Sequence, residues 1–351
     1  MAKKADSKHI LIIRLSAMGD VAMIVPVINA LKRKYPDVKI TLLTKPYFEA
    51  IFSEVEGLTV FPAYVKFHHK GVWGLWKLYK ELNRFPITHI ADVHNVIRSR
   101  ILCAFFGLSN VPVKKINKGR NEKRMLTRSK NKGFKPLKST IERYTDVINR
   151  LGFNVDIGKL DVLPKHKIPR QLLKFVGPNY DKIIGIAPFA TYQSKMYRLD
   201  LMEQVIHQLI SKKNNKVLLF GGGDKESEQL KALDSKFGDE VQAVAGELEL
   251  KAELSLISNL DVMIAMDSGN GHLAANYGVP VLTIWGVTHP YAGFKPYNQP
   301  LENSLLPDRD TFPLLPTSVY GNKYPEGYLE AINSITPESI LGKVQEILGE
   351  A

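Results

Sequence analysis

Four short stretches bring together residue types that can move a proton and hold a phosphate. In "RLSAMGDVAM" (Arg14–Met23), Asp20 closes a Gly-Asp turn between an apolar run and an amphipathic one. A carboxylate there can cap a helix beginning near Val21, a common use of Asp. It can also act as a general base on an attacking hydroxyl. In "AMDSGNGHLAANYG", an apolar run ends at Asp267, and Ser268-Gly269-Asn270 opens a run carrying His272. Small residues let a ligand approach the backbone, and the free N–H groups at a helix N-terminus bind anions. A diphosphate suits that place; a plain Asp-Ser-Gly cap is the simpler alternative. In "PFATYQSKMY", Thr191 and Lys195 follow an apolar run, and a lysine so placed can neutralise phosphate as a compact charge. On its own it reads as a surface lysine. The fourth stretch, "LLFGGGDKESE", is neither G-x-G-x-x-G nor a P-loop. Its acids, Asp224 or Glu226, can accept from ribose hydroxyls or simply complement the dipole of the next helix.

These stretches need elements that hold them at one edge. In the first half, "HILIIRL", "VKITLLTK", "LTVFPAY" and "ITHIADVH" read as strands. "VAMIVPVINALKRKYP", "PYFEAIFSEVEG", "GVWGLWKLYKELNRF" and "IRSRILCAFFG" between and after them read as helices. The proline- and charge-rich "LDVLPKHKIPRQLLKF" then reads as a linker. The alternation restarts with the strands "KIIGIAPFA", "KVLLFGGG", "VQAVAG", "LDVMIAMDSG" and "VPVLTIWG". It ends on the helix "TPESILGKVQEILGE", capped by Thr336. Such alternation predicts α/β architecture with two doubly wound parallel sheets. Ligands bind such sheets beyond the carboxyl ends of the strands. The turns Ser16–Asp20, Asp92–Asn95, Ala190–Lys195, Gly221–Glu226 and Asp267–His272 all fall there.

Composition narrows the class. A chain of 351 residues with 44% hydrophobic content supports two ordinary cores. No apolar run reaches the roughly 18 residues of a membrane span. The short run after the basic N-terminus, broken by Arg14, reads as a strand and not a signal peptide. The single Cys103 excludes an intrachain disulfide framework and fits a reducing cytoplasm. The nine histidines show no metal-ligand spacing, so no metal is expected. Net charge is +13, and Lys114–Lys138 holds eleven Lys or Arg against one acid, Glu122. That segment suggests an anionic partner, while a solvated loop is its plainer reading. Phe134 is its only aromatic, and no nucleic-acid module is recognisable, so nucleic acid is not expected.

With "IIRLSAMGDVAMIVPVINALKRKYP", "ADVHNVIRSRILCAFFG", "LSLISNLDVMIAMDSGNGHLAANYGVPVLTIWG" and "INSITPESILGKVQEIL" in view, nearly the whole chain resembles glycosyltransferase family 9, the lipopolysaccharide heptosyltransferases. The resemblance implies a GT-B fold of two Rossmann-like doubly wound domains facing a central cleft. It places an acceptor domain at 1–165, a nucleotide-sugar domain at 166–330 and a final helix at 331–351 packed back on the first domain. It implies an enzyme: inverting, metal-independent transfer from an ADP-heptose-type donor, a co-substrate and not a cofactor. Asp20 then matches the base. Lys195, with Thr191 in its loop, matches the donor-diphosphate lysine. Asp267, Ser268, Gly269, Asn270 and His272 match the phosphate-holding turn, and Asp224 or Glu226 the ribose acid. Acceptor contacts are assigned to Ser16, Met18, Gly19, Lys115 and Arg120. The partner implied is an anionic lipid-linked saccharide, met by a monomer at the cytoplasmic face of the inner membrane through segment 114–138. Two departures stand out: Met196-Tyr197 replaces a common Trp-Pro, and cysteines often found before the last helix are absent. Two other readings remain, a GT-B glycosyltransferase with another nucleotide sugar and, remotely, a nucleic-acid-binding protein.

Overall fold

Strand β1 (His9–Ile13) is buried along its whole length because it has a neighbour on each side and helices over the sheet. The computed structural model describes residues 8–107, 110–158, 162–211 and 214–350. It divides the chain into two units, one running to Lys118 and returning for Thr140–Leu163, the other taking Gly119–Ser139 and continuing from Pro164.

The first unit is a five-stranded parallel sheet in the order β3-β2-β1-β4-β5. Here β2 is Lys39–Thr44, β3 Leu58–Pro62, β4 His89–Asp92 and β5 Val113–Lys115. Leu11 faces Thr41 on one side and Ile90 on the other. The chain winds outward from β1 to β3, then returns to β4 on β1's other side. The carboxyl ends of β1 and β4 therefore flank the point where strand order reverses, the place an open parallel sheet offers a ligand. Leu11, Ile13, Leu43, Ile90, Leu102 and Phe106 centre one core of this unit. The run "PYFEAIFSEVEG" is 3-10 turn over Pro46–Phe52 and not α-helix.

The second unit repeats the plan with six parallel strands, ordered β11-β10-β9-β6-β7-β8. They are β6 (Lys182–Ala187), β7 (Asn215–Leu219), β8 (Val241–Ala243), β9 (Val262–Met266), β10 (Val281–Ile284) and β11 (Ser304–Leu305). Its reversal point lies between β6 and β9. Gly185 in β6 is closely covered: a Cβ would stand 2.4 Å from Leu260 Cδ1, so any side chain there makes Leu260 move. The two-residue β11 carries too little hydrophobic pattern to be read from sequence.

Two placements differ from expectation. The last helix, Pro337–Leu348, is capped by Thr336 Oγ1, which accepts from Ser339 N–H at 3.2 Å. It packs on the helix Leu199–Ser211 of the second unit and buries Ile340, Leu341 and Val344 in that unit's core, not in that of the first. Tyr197 donates its hydroxyl to the Ile335 carbonyl at 2.6 Å, tying down the chain just before this helix. Tyr197 thus has a structural use in the second unit. The second difference is the basic segment, most of which belongs to the second unit. Leu126 is fully buried there, Phe134 packs on His289 and Tyr291, and Leu137 N–H donates to the Tyr291 carbonyl at 2.9 Å.

Candidate active site

In the second unit the loop after β6 and the end of β9 meet at the reversal point. Lys195 ends a 3-10 turn, Gln193–Lys195, and is buried. Its Nζ lies 3.1 Å from Asp267 Oδ2 and donates to the Asp267 carbonyl at 2.5 Å. Asp267 Oδ2 also accepts from Thr288 Oγ1 at 2.9 Å. An ammonium has three protons, and this arrangement commits two of them. One donor remains for a ligand oxygen, and the charge of the lysine is already matched by a buried carboxylate. Net attraction for an anion must then come largely from the helix Gly269–Asn276 that starts beside the pair. Ser268 is its extended N-cap but makes no capping hydrogen bond, and its buried Oγ has no partner among the described residues. Gly269 and Asn270 form the first turn, so their N–H groups have no intrahelical acceptor. His272 is buried within the same helix.

The lysine is held from two sides. A Cβ on Gly286 would stand 2.0 Å from the Ser194 carbonyl oxygen, so only glycine admits the loop here. Gly321, at φ +93°, lies over the lysine stem, where a Cβ would be 2.8 Å from Lys195 Cγ. Ser194 Oγ donates to the Gly321 carbonyl at 2.5 Å. Thr191 is exposed in the same loop. Of the two acids after β7, Glu226 folds back to accept from Gly222 N–H at 2.8 Å, whereas Asp224 stands exposed at the start of the helix Asp224–Asp234.

In the first unit, the helix after β1 begins at Met18, with Ala17 as N-cap. Asp20 is therefore its third residue and not its cap. Its Oδ2 accepts from Ala17 N–H at 3.4 Å and pairs with Arg14 Nη2. Arg14 is buried at the end of β1 and also donates to the Val93 carbonyl at 2.8 Å, joining the ends of β1 and β4. Tyr144 Oη donates to the Asp20 backbone carbonyl at 3.1 Å. The carboxylate is thus fixed in direction yet keeps a side-chain exposure of 26%. Ser16, Met18 and Gly19 line the same turn, partly exposed. Asp92, at the neighbouring strand end, is fully buried and accepts from His94 N–H, Asn95 N–H and Ser99 Oγ at 3.1, 2.7 and 2.9 Å. It shapes its turn and has no exposed oxygen for chemistry.

A family model for glycosyltransferase family 9 (heptosyltransferase) matches residues 75–315. The chain belongs to glycosyltransferase family 9. This glycosyltransferase is 24% identical over 303 residues to the lipopolysaccharide core heptosyltransferase OpsX of Haemophilus influenzae, covering 83% of this chain and 82% of that one. It is 21% identical over 294 residues to lipopolysaccharide heptosyltransferase 1 of Pseudomonas aeruginosa, covering 80% and 79%. Among solved structures, a family 9 glycosyltransferase from Veillonella parvula superposes with a TM-score of 0.77 at 16% identity, over 98% of both chains. The E. coli heptosyltransferase WaaC with ADP superposes with a TM-score of 0.69 at 16% identity, over 97% of this chain and 99% of that one. These likenesses show a GT-B fold.

The glycosyltransferase thus gathers Lys195, Asp267, Ser268, Gly269 and Asn270 in one place, and Asp20 with Ser16, Met18 and Gly19 in another. Of the two remaining acceptor candidates, Lys115 ends β5 in the first unit, and Arg120 opens the helix Arg120–Leu126 in the second. Sequence reasoning missed Arg14 and Thr288. Arg14 had a signal, a charge ending an otherwise apolar strand. Thr288 follows β10 and obeys the same strand-end rule as the others. Gly286, Gly321 and Tyr144 act through close approach in space and leave no local trace.

Part of the basic segment also serves this site. Lys132 Nζ donates to the carbonyls of Leu314 and Pro316, each at 2.7 Å, and so fastens the chain leading to Gly321 over Lys195. Burial, with Arg309 beside it, pushes the Lys132 ammonium down to about 8. Arg309 stacks 3.8 Å from the Phe134 ring centroid, and Lys123 lies 4.0 Å from that of Phe294. Lys132→Met frees the 314–321 loop. It is expected to raise the KM for donor about tenfold, as lost hydrogen bonds to a charged group suggest, with a smaller change in kcat. Steady-state kinetics at varied donor concentration reads this.

Two histidines make the fold acid-sensitive. Burial first, then Arg14, Lys118, Lys45 and Arg98, hold His94 down to about 3. Burial, Arg309 and Lys132 hold His289 down to about 4. Both values lie below the ordinary 6.5, so between those limits the unfolded chain binds more protons than the folded one and stability falls as pH falls. The melting temperature is expected to drop steadily from pH 6.5 towards pH 4, and His289→Phe to flatten that slope in a thermal melt series.

Proposed function

We propose that this glycosyltransferase moves a heptose, with inversion and without a metal, from an ADP-heptose-type sugar nucleotide to an anionic, lipid-linked lipopolysaccharide core acceptor. The observation that carries the reading is the buried Lys195–Asp267 pair beside the open helix start at Ser268–Asn270. It is built to hold a diphosphate as it departs. The acceptor oxygen bonds to the anomeric carbon while the bond from that carbon to the phosphate oxygen breaks. The electron pair leaves on the diphosphate, where the Lys195 ammonium and the helix amides stabilise it. The acceptor proton passes to Asp20. A lysine and amide dipoles thereby do what a divalent cation does in other sugar transferases. The kinship with OpsX and heptosyltransferase 1 supports heptose and a lipopolysaccharide acceptor. In this proposal the transfer takes place at the cytoplasmic face of the inner membrane, where such an acceptor is anchored.

The test is transfer from ADP-heptose to a Kdo-lipid acceptor, run beside UDP-, GDP- and CMP-sugars, with and without EDTA. Turnover with ADP-heptose alone, unchanged by EDTA and giving the inverted anomer, is expected. Faster turnover with another nucleotide sugar would replace the donor assignment, and loss of activity in EDTA would replace the lysine's role.

A further inference from the structure

The edge of the first sheet that carries Asp20 also carries an exposed aromatic rim. After β2 comes Tyr47, and after β3 come Tyr64 and Phe67, followed by the start of the helix Gly71–Leu82 with Val72 and Trp73. Phe67 is 74% exposed, Trp73 85%, Tyr47 61% and Val72 57%. Large apolar side chains so clustered and so open mark an interaction surface. Lys45, Tyr47, Tyr64, Lys66 and Phe67 share one shallow cavity of about 400 Å³, which places the two loops side by side.

The rim is built and not floppy. His69 is buried beneath it, with Nδ1 accepting from Tyr64 N–H and Nε2 against Glu81 Oε2, both at 3.1 Å. Phe67 N–H donates to the Tyr64 carbonyl, and Lys70 N–H to the Phe67 carbonyl, each at 2.9 Å. A Cβ on Gly74 would fall 2.3 Å from the His69 carbonyl carbon, so the helix start is pressed against this turn.

Apart from the exposed Glu49 beside Tyr47, its charge is of one sign. Lys66, Lys70, Lys77 and Lys80 are exposed, and no Asp or Glu occurs from Tyr64 to Lys80. Glu81, next in line, is paired with His69. Aromatic side chains interleaved with lysines suit the boundary of an anionic bilayer: rings enter the headgroup layer while ammonium groups meet lipid phosphates. The same lysines disfavour pairing of two copies through this face, since like charges would meet. Among the described residues no helix is long and apolar enough to cross a membrane.

We infer that the rim of Tyr47, Phe67, Val72 and Trp73, with Lys66, Lys70 and Lys77, docks this protein on an anionic lipid surface. Docking in this way turns the Asp20 edge towards the bilayer. The binding itself does not depend on the sugar-transfer reading; only its purpose does.

The experiment is co-sedimentation of the full chain with phosphatidylcholine vesicles carrying 0 or about 30% phosphatidylglycerol, with tryptophan emission read in parallel. Wild type binds the anionic vesicles and not the neutral ones, and its emission shifts to the blue, a shift that Trp73→Phe removes. Phe67→Ser/Trp73→Ser cuts binding at least tenfold with the melting temperature unchanged. Lys66→Gln and Lys70→Gln each cut it about fivefold at low salt. Substituting Arg124, Arg128 and Lys130 by Ser, in the exposed part of the basic segment, leaves it within twofold. Absence of binding to anionic vesicles overturns the inference. So does full binding by the Phe67/Trp73 variant, loss of binding with the basic-segment variant instead, or dimerisation abolished by Phe67→Ser without vesicle binding. Activity on a detergent-dispersed acceptor, measured on the same variants, reports separately on the transfer reading.

Discussion

Asp20→Asn lowers kcat about a thousandfold, within the range that a positioned general base contributes, and leaves the KM for donor within about twofold. The asparagine keeps the size of the side chain and an oxygen for Ala17 N–H, but it cannot take a proton. The proposed donor contacts, Lys195 and Ser268–Asn270, stand on the second unit and are untouched. Arg14 is buried and loses its ion pair, but it keeps the Val93 carbonyl and Asp20 is partly exposed, so the fold loses about 2 kcal/mol. Transfer kinetics beside a thermal melt separate the two effects. More than a tenth of wild-type turnover in a folded variant removes Asp20 from the mechanism. Asp20→Ala adds the loss of the Ala17 hydrogen bond and is expected to melt lower than the asparagine variant.

Lys195→Met has two consequences that must be taken apart. It removes the one free ammonium proton available to a diphosphate, and it leaves the buried Asp267 carboxylate with only Thr288. Breaking a buried pair by deleting one partner costs about 3 kcal/mol or more, so the single variant melts well below wild type. Lys195→Met/Asp267→Asn has no uncompensated charge and regains most of that stability. It does not regain activity: kcat/KM stays down at least a hundredfold, because the departing diphosphate has lost its ammonium hydrogen bond and keeps only the helix amides. Such non-additivity is expected for groups in direct contact. A double variant recovering both stability and turnover shows that the lysine serves only the fold.

Much of this protein is legible in its sequence. The spacing of "HILII", "VMIAM" and "VLTI" marks strands buried on both faces, and their alternation with helices leads to two parallel sheets. The strand-end rule then singled out Asp20, Lys195 and Ser268–Asn270, which the structure does bring to reversal points in strand order. The basic segment shows the limit of such reading. Eleven cations hid Leu126, Phe134 and Leu137, and those three residues decide that most of the segment folds with the second unit. Lys123 and Lys132 look solvated in sequence, yet one stacks on Phe294 and the other binds two carbonyls. The last helix could be recognised by its cap, but the surface that covers it depends on which apolar face lies opposite.

By itself, the sequence determined the elements, the parallel winding and the strand-end turns. Each follows from local periodicity and from the fixed relation between a strand's direction and where its carboxyl end points. Only the tertiary structure decided that Lys195 meets a carboxylate, that Arg14 steers Asp20, and that Gly286 and Gly321 close over the lysine loop. Those facts depend on contacts between segments up to about 130 residues apart, as from Ser194 to Gly321. Burial, not sequence distance, sets the strength of such contacts.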